Sequence, residues 1–402
     1  MSKQRAAGFP RRFSRRAFAQ LVAAGAGAAW LGGVAARGGE ERWARRARGE
    51  VRPAKLLPND PEDLILLNSN ENPFGPSPAA RAALEQARSL VMRYPDYHAD
   101  LLKEAIASYH GVDPAMVVVT CGSTELLKLA AQAFLGPGRR LVVAEPTFEA
   151  IAFYAGLTGA EVVKVAVTAD YGHDLEAMAR AAQERPGLVY LCNPNNPTGT
   201  VVSKAAGELF LGQIPPQQVV LVDEAYYHYA DNGSYDTLLN AVTAERNLVV
   251  ARTFSKIYGM AGLRLGYGIA RRELMERMRP HQVIESWNVM ACVAALASLD
   301  APQWVERNRE WNRQARTSLA EAMQERGYAV IPSQANFVCV HVGQSVRPVI
   351  AAFRERGIAV GRPFAGLPEH IRVSLGTPEE MEKFVAAFDA VMAETPHPAA
   401  GA

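Results

Sequence analysis

Cysteine is scarce in this 402-residue chain, which has four, at positions 121, 192, 292 and 339, with no C-x-x-C pair among them. All four lie inside apolar or motif segments, so buried free thiols are expected rather than disulfides or a zinc ribbon. The eight histidines form no H-E-x-x-H pattern, and neither a G-x-x-x-x-G-K-[ST] loop nor a G-x-S-x-G elbow occurs. Zincin, P-loop and α/β-hydrolase chemistry therefore have no support, and no metal is expected. An excess of charge of one sign is also missing, since 43 Lys and Arg stand against 41 Asp and Glu. Six of the basic residues precede residue 37 without a single acid, which leaves 37 basic against 41 acidic residues in the remainder. A body with that balance offers no electrostatic footprint for nucleic acid. What remains, 49% hydrophobic and 21% charged residues, describes a globular chain long enough for two domains.

Ser14-Arg15-Arg16-Ala17-Phe18 precedes an apolar stretch, residues 19–36, that is rich in Ala and Gly and ends in Val34-Ala35-Ala36. A charged region, a mildly apolar region and small residues suited to cleavage form the twin-arginine arrangement, so residues 1–36 are expected to be a signal peptide. Four glycines and few Leu, Ile or Phe make this segment a poor membrane helix, and no stable span is expected. An exported, periplasmic protein that engages the twin-arginine machinery follows as the expectation. Residues 37–60 alternate charge without a steady apolar stripe and are expected to be a linker.

Further on, amphipathic stretches alternate with short β-branched runs at 116–120, 140–144, 162–167, 188–192, 219–222, 248–251 and 265–269. This alternation predicts an α/β fold with a largely parallel sheet covered by helices on both faces. After Asp300, a long helical pattern through Arg326, strands near 336–341 and 371–374, and a helix near 346–356 predict a smaller α/β unit.

Nearly all the polar motifs stand just past the last apolar residue of a strand, where open α/β sheets build their ligand crevices. Gly122-Ser123-Thr124-Glu125 opens a helix, and its free amides suit a phosphate, although Ser and Thr there also serve as ordinary N-caps. Asn193-Pro194-Asn195-Asn196-Pro197-Thr198-Gly199 carries more proline and asparagine than a turn requires. Asp223, at a buried strand end, needs a cationic or protonated partner, either a structural arginine or the ring nitrogen of a cofactor. Lys256, among hydroxyls and aromatics, is either a solvated surface group or, if desolvated beside cations, a lysine whose lowered pKa permits a Schiff base. Arg264 suits a phosphate or a structural ion pair, and Arg372 suits a bidentate carboxylate or an exposed strand.

Together with Asn70-Glu71-Asn72-Pro73 and Arg93-Tyr94-Pro95, the ordered set over residues 64–390 resembles the fold type I pyridoxal-phosphate aminotransferases of class I/II, most closely the histidinol-phosphate aminotransferase group. The resemblance implies an N-terminal arm (61–92), a large cofactor-binding domain (93–290), a small C-terminal domain (291–395) and a tail (396–402). It implies pyridoxal 5′-phosphate as cofactor, a homodimer, and a reaction that moves an amino group from an amino acid or amine to a 2-oxo acid through a Lys256 Schiff base. Asp223 would hold the pyridine nitrogen, Asn196 and Tyr226 the phenolic oxygen, and Phe148 the ring face. Gly122, Ser123, Thr124, Thr253, Ser255 and Arg264 would take the phosphate, with Tyr94 arriving from the second subunit. Asn72, Asn196, Arg362 and Arg372 would meet substrate. Phe74 stands where relatives often have tyrosine, and Gly361 intervenes before Arg362. The expected donor is accordingly an amino acid or amine, with histidinol phosphate as the alternative donor and a fold type I decarboxylase as the alternative reaction.

Overall fold

The computed structural model describes residues 64–243 and 246–395; the expected signal peptide, linker and tail lie outside them. In chain order the elements begin with β1 (Ile65–Leu67), α1 (Pro78–Gln86), α2 (Asp96–His110), β2 (Val117–Thr120), α3 (Ser123–Phe134), β3 (Arg140–Glu145), α4 (Ala150–Leu157) and β4 (Glu161–Ala166). They continue with α5 (Leu175–Glu184), β5 (Gly187–Cys192), α6 (Lys204–Gln213), β6 (Val219–Asp223), β7 (Leu248–Thr253), β8 (Gly266–Ala270), α7 (Arg272–Met278) and α8 (Val289–Leu299). The chain then forms α9 (Pro302–Glu325), β9 (Val330–Ile331), β10 (Phe337–His341), α10 (Val346–Glu355), β11 (Ile358–Val360), β12 (His370–Ser374) and α11 (Pro378–Glu394).

Seven strands make the main sheet in the order β2-β8-β7-β6-β5-β3-β4, with β8 antiparallel to both neighbours and the other pairs parallel. Strand residues alternate between two cores because successive side chains point to opposite faces. Val142, Val189, Leu191, Val220 and Val222 pack with Leu102 and Ile106 of α2 and Phe210 of α6. Leu141, Val143, Tyr190, Leu221 and Val249 pack with Leu126 and Phe134 of α3 and Met275 of α7. The central strands are buried along their whole length, as a sheet covered on both faces requires.

The smaller unit has β10 between β9 and β12, all antiparallel, and β1 paired in parallel with β11. Leu319 and Met323 of α9, Phe353 of α10, and Phe384 and Phe388 of α11 form its core, where the Phe353 and Phe384 rings stack at 5.0 Å. Helix α8 contributes Ala291, Cys292, Ala294 and Ala295 to the core of the large sheet, so the small-unit core begins with α9 and not at residue 291. All four cysteines are free; three are buried and Cys121 is half-buried. Among the described residues, no helix is long and apolar enough to cross a membrane.

Candidate active site

A cavity of ≈810 Å³ opens where the C-terminal ends of β5, β6 and β7 meet the start of α3 and the edge of the small unit. Its size suits a cofactor together with a small substrate. Helix α3 starts at Ser123 with Gly122 as its N-cap, at φ 74°, and no side chain caps it. The alternative of an ordinary Ser or Thr cap therefore fails. The amides of Ser123 and Thr124 have no intrahelical acceptor at that position and face the cavity with the positive end of the helix dipole. Glu125 does not oppose an anion there, because it folds back to accept from the Cys121 amide (2.5 Å) and the Ser286 hydroxyl (2.8 Å). Arg264 leans across Gly122 so closely that a Cβ at 122 would collide with its guanidinium. It donates to the Ser255 hydroxyl (3.2 Å) and the Ala261 carbonyl (2.9 Å) but forms no ion pair among the described residues. Two amides, the Thr253 and Ser255 hydroxyls and one guanidinium thus converge on the cavity as an anion cradle.

The two acids at the end of β6 divide the alternatives open for Asp223. Glu224 takes the structural arginine: Arg252 Nε and Nη2 lie 3.0 and 2.7 Å from its Oε2, and both residues are buried. Among the described residues, the carboxylate of Asp223, 2% exposed, receives the Tyr190 phenol (2.9 Å) and the Ala225 amide (3.1 Å) as its hydrogen-bond donors. Burial pushes its carboxyl up to about 6, with the Tyr190 hydrogen bond opposing the shift. A buried carboxylate on the cavity wall that forms no ion pair among the described residues fits a protonated ring nitrogen.

Lys256 follows β7 and donates to the carbonyls of Ser69 (3.1 Å) and Asn70 (2.9 Å), with no carboxylate in an ion pair among the described residues. Burial lowers its pKa to about 8, helped by the Arg372 charge. The unprotonated amine needed for a Schiff base is thereby accessible near neutrality.

Asn193 braces the loop that follows β5, and Asn195 ties that loop to the segment that follows β3. The first clamps Val202 at both N (2.9 Å) and O (3.0 Å), and the second donates to the Pro146 carbonyl (3.0 Å) and accepts from Thr147 (2.7 Å). Asn196 alone reaches the cavity, where it donates to the Tyr226 hydroxyl (3.4 Å) and accepts from Arg372 Nη1 (2.6 Å). Arg372 on β12 is buried, not exposed, and no carboxylate pairs with it among the described residues. Its Nη2 donates to the Asn68 carbonyl (2.7 Å), while its Nε is buried without a partner. Gly361 donates its N–H to the Arg372 carbonyl (2.7 Å), and a Cβ at 361 would crowd that same oxygen. The glycine before Arg362 is therefore a close-packing requirement of the strand that carries Arg372.

Of the residues expected at the site, Ser123, Thr124, Phe148, Asn196, Asp223, Tyr226, Thr253, Ser255, Lys256, Arg264, Arg362 and Arg372 line this one cavity, with Gly122 beside it. Two do not. Asn72 points away to donate to the Ile257 carbonyl (2.8 Å), and Tyr94 stands 69% exposed outside the cavity of its own chain. Phe74 is also turned aside, edge-on to Trp311 at 5.7 Å. Sequence reasoning missed Asn70, which donates to the Tyr226 hydroxyl (3.0 Å) and whose carbonyl accepts from Lys256. It also missed Glu149, which binds Arg362 at 2.5 Å, and Tyr190. Asn70 sits inside a motif already singled out, whereas nothing local marks Glu149 or Tyr190.

Residues 62–388 match the family described as aminotransferase class I and II. The histidinol-phosphate aminotransferase of Symbiobacterium thermophilum is 44% identical over 334 residues, which cover 83% of this chain and 91% of that protein. The crystal structure of histidinol-phosphate aminotransferase from Sinorhizobium meliloti in complex with pyridoxal-5′-phosphate superposes with a TM-score of 0.78 at 26% identity, covering 83% of this chain and 92% of that one. L-threonine-O-3-phosphate decarboxylase from Porphyromonas gingivalis shares the fold at a TM-score of 0.73 and 22% identity, over 81% and 99% of the two chains. The anion cradle, the buried carboxylate outside any ion pair among the described residues and the lysine of lowered pKa fit the cofactor that these comparisons imply. The chain belongs to the class I and II aminotransferases, with their fold type I architecture, and is a pyridoxal-phosphate-dependent transaminase.

Proposed function

We propose that this transaminase takes histidinol phosphate as amino donor and passes the amino group to a 2-oxo acid. The observation that carries the reading is Arg372, a buried guanidinium on the cavity wall with an unpartnered Nε and no carboxylate counter-charge among the described residues. A desolvated cation of this kind calls for an anionic group on the substrate, and a phosphate or the carboxylate of a 2-oxo acid fits the same fork. Relatives named for histidinol phosphate, at up to 44% identity, support the phosphate.

Bound in the cavity, pyridoxal phosphate supplies an electron sink for a bond broken at the substrate Cα. Lys256 Nζ would hold the cofactor and move the proton at that Cα. Asp223 would keep the ring nitrogen protonated. Asn196 and Tyr226 would bond the phenolic oxygen, and Phe148 would cover the ring face. Ser123, Thr124, Thr253, Ser255 and Arg264 would hold the phosphate, with Gly122 leaving room for the guanidinium. Arg372, braced by Asn196 and the Asn68 carbonyl, orients the substrate. Arg362 at the mouth is the second anion-binding candidate, while Asn72 is committed to the Ile257 carbonyl.

A second reading, another amino acid or amine as donor, is favoured by the tie of Arg362 to Glu149 and by the turn of Phe74 onto Trp311. A homodimer with Tyr94 completing the partner's site is supported by the exposure of Val91, Met92, Tyr94 and Tyr97 on one short stretch. Export by the twin-arginine route is supported by Arg15-Arg16 and the apolar stretch after them. The test mixes the purified holoprotein with histidinol phosphate, and separately with a panel of amino acids, and follows the absorption of the bound cofactor. Saturable conversion by histidinol phosphate supports the first reading. Conversion only by other donors supports the second, and release of carbon dioxide would indicate decarboxylation instead.

A further inference from the structure

We propose that Tyr190 is a positioning residue for Asp223, its phenol selecting which carboxylate oxygen is left for the cofactor ring and holding that carboxylate ionised. The inference rests on the reading of Asp223 as the partner of the ring nitrogen. Tyr190 lies on β5 opposite Leu221, two residues before Cys192, which pairs in register with Asp223. Its ring is fully buried in the apolar core formed with Val143, Leu221 and Val249. Phenylalanine would fill that core equally well, so packing does not require the hydroxyl. The hydroxyl donates at 2.9 Å to Asp223 Oδ2.

The two oxygens of Asp223 are thus held by different donors, Oδ2 by the phenol and Oδ1 by the Ala225 amide. A carboxylate anchored at both oxygens cannot swing, and its remaining lone pairs point in fixed directions. A hydrogen bond to the charged form also favours ionisation against the cost of burial. Burial has already brought Asp223 to about 6, and the titratable groups that face it besides Tyr190 are Glu224, committed to Arg252, Lys256, the Tyr226 phenol and the Cys192 thiol, which also lies against the Tyr190 hydroxyl and which burial keeps neutral. Without the phenol, the acid would stay protonated further toward neutrality. A neutral acid cannot hold a pyridinium by charge.

The experiment titrates cofactor-free protein with pyridoxamine phosphate, which binds without covalent attachment, in wild type, Tyr190→Phe, Asp223→Ala and the double variant. A hydrogen bond to a charged group predicts a loss of affinity of about tenfold in Tyr190→Phe and a larger loss in Asp223→Ala. In the Asp223→Ala background, Tyr190→Phe should change affinity by less than about twofold, because the phenol acts only through the missing carboxylate. Unchanged affinity in Tyr190→Phe, or an equal loss in both backgrounds, would overturn the proposal, the latter by showing a structural role. Failure of Tyr190→Phe to fold, judged by thermal melting, would also overturn it, since the core would then need the hydroxyl. Unchanged affinity in Asp223→Ala would instead defeat the reading of Asp223 on which the proposal stands.

Discussion

At Lys256 a single side chain unites the two properties that the chemistry needs: desolvation that lowers its pKa to about 8, and backbone acceptors that aim the amine at the cavity. Because the neutral amine is the nucleophile, reaction of cofactor-free protein with an acylating reagent should rise with pH and level off just above 8 at this site. An ordinary lysine, at 10.5, would still be rising there. Site-resolved mass spectrometry against pH measures this directly. Lys256→Ala should abolish amino transfer while the far-ultraviolet circular dichroism stays native, since the residue supports no core. Glu149 offers a subtler test. Its bond to Arg362 joins two side chains that are each more than half exposed, so the pair is weak and a substrate anion can compete for the arginine. Glu149→Gln should therefore lower KM for anionic donors by up to about fivefold with kcat unchanged, a modest gain set by the small worth of an exposed pair.

At the scale of elements, the site depends on strands that stop in register. Cys192, Asp223 and Ala251 are paired across β5, β6 and β7, so the residues that follow each strand emerge side by side. Glu224 and Arg252 lock β6 to β7 just beneath the cavity, with Thr237 and the Leu238 amide also bonded to the carboxylate and the Arg252 guanidinium 4.1 Å over the Tyr227 ring. Truncating one partner of a buried pair strands the other charge. Glu224→Ala should cost about 3–5 kcal/mol of stability in denaturant unfolding, far more than removal of an exposed pair such as Lys383 and Glu379. The strand ends were legible in the sequence because runs such as Val219–Val222 and Leu248–Ala251 are β-branched and are followed at once by polar motifs. Three-residue β1 and β11 were not, since pairs so short carry no periodicity and form only where the fold lays residues 65–67 beside residues 358–360. Tyr190 was hidden for the opposite reason: inside an apolar strand, it reads as one more core residue. Glu149 and Arg362 are 213 positions apart, and only the tertiary fold brings them together.

For the whole molecule, the seven-stranded sheet supplies a rigid floor and the cofactor cradle, while β12 of the small unit delivers Arg372 to the opposite wall. The ordered motifs conveyed most of the residues that line the cavity beneath the small unit. The substrate side was conveyed less well, because it is assembled from loops of both units whose contacts no local pattern records, as Asn72, Phe74 and Gly361 each show. The most direct test of the account follows the nitrogen itself: holoprotein, histidinol phosphate labelled with ¹⁵N at its amine, and 2-oxoglutarate are incubated together, and the glutamate formed is examined by mass spectrometry. The account predicts label in glutamate at one nitrogen per donor consumed, with none in the Lys256→Ala variant. Unlabelled glutamate with intact donor, or consumption of donor without transfer of its nitrogen, would contradict it.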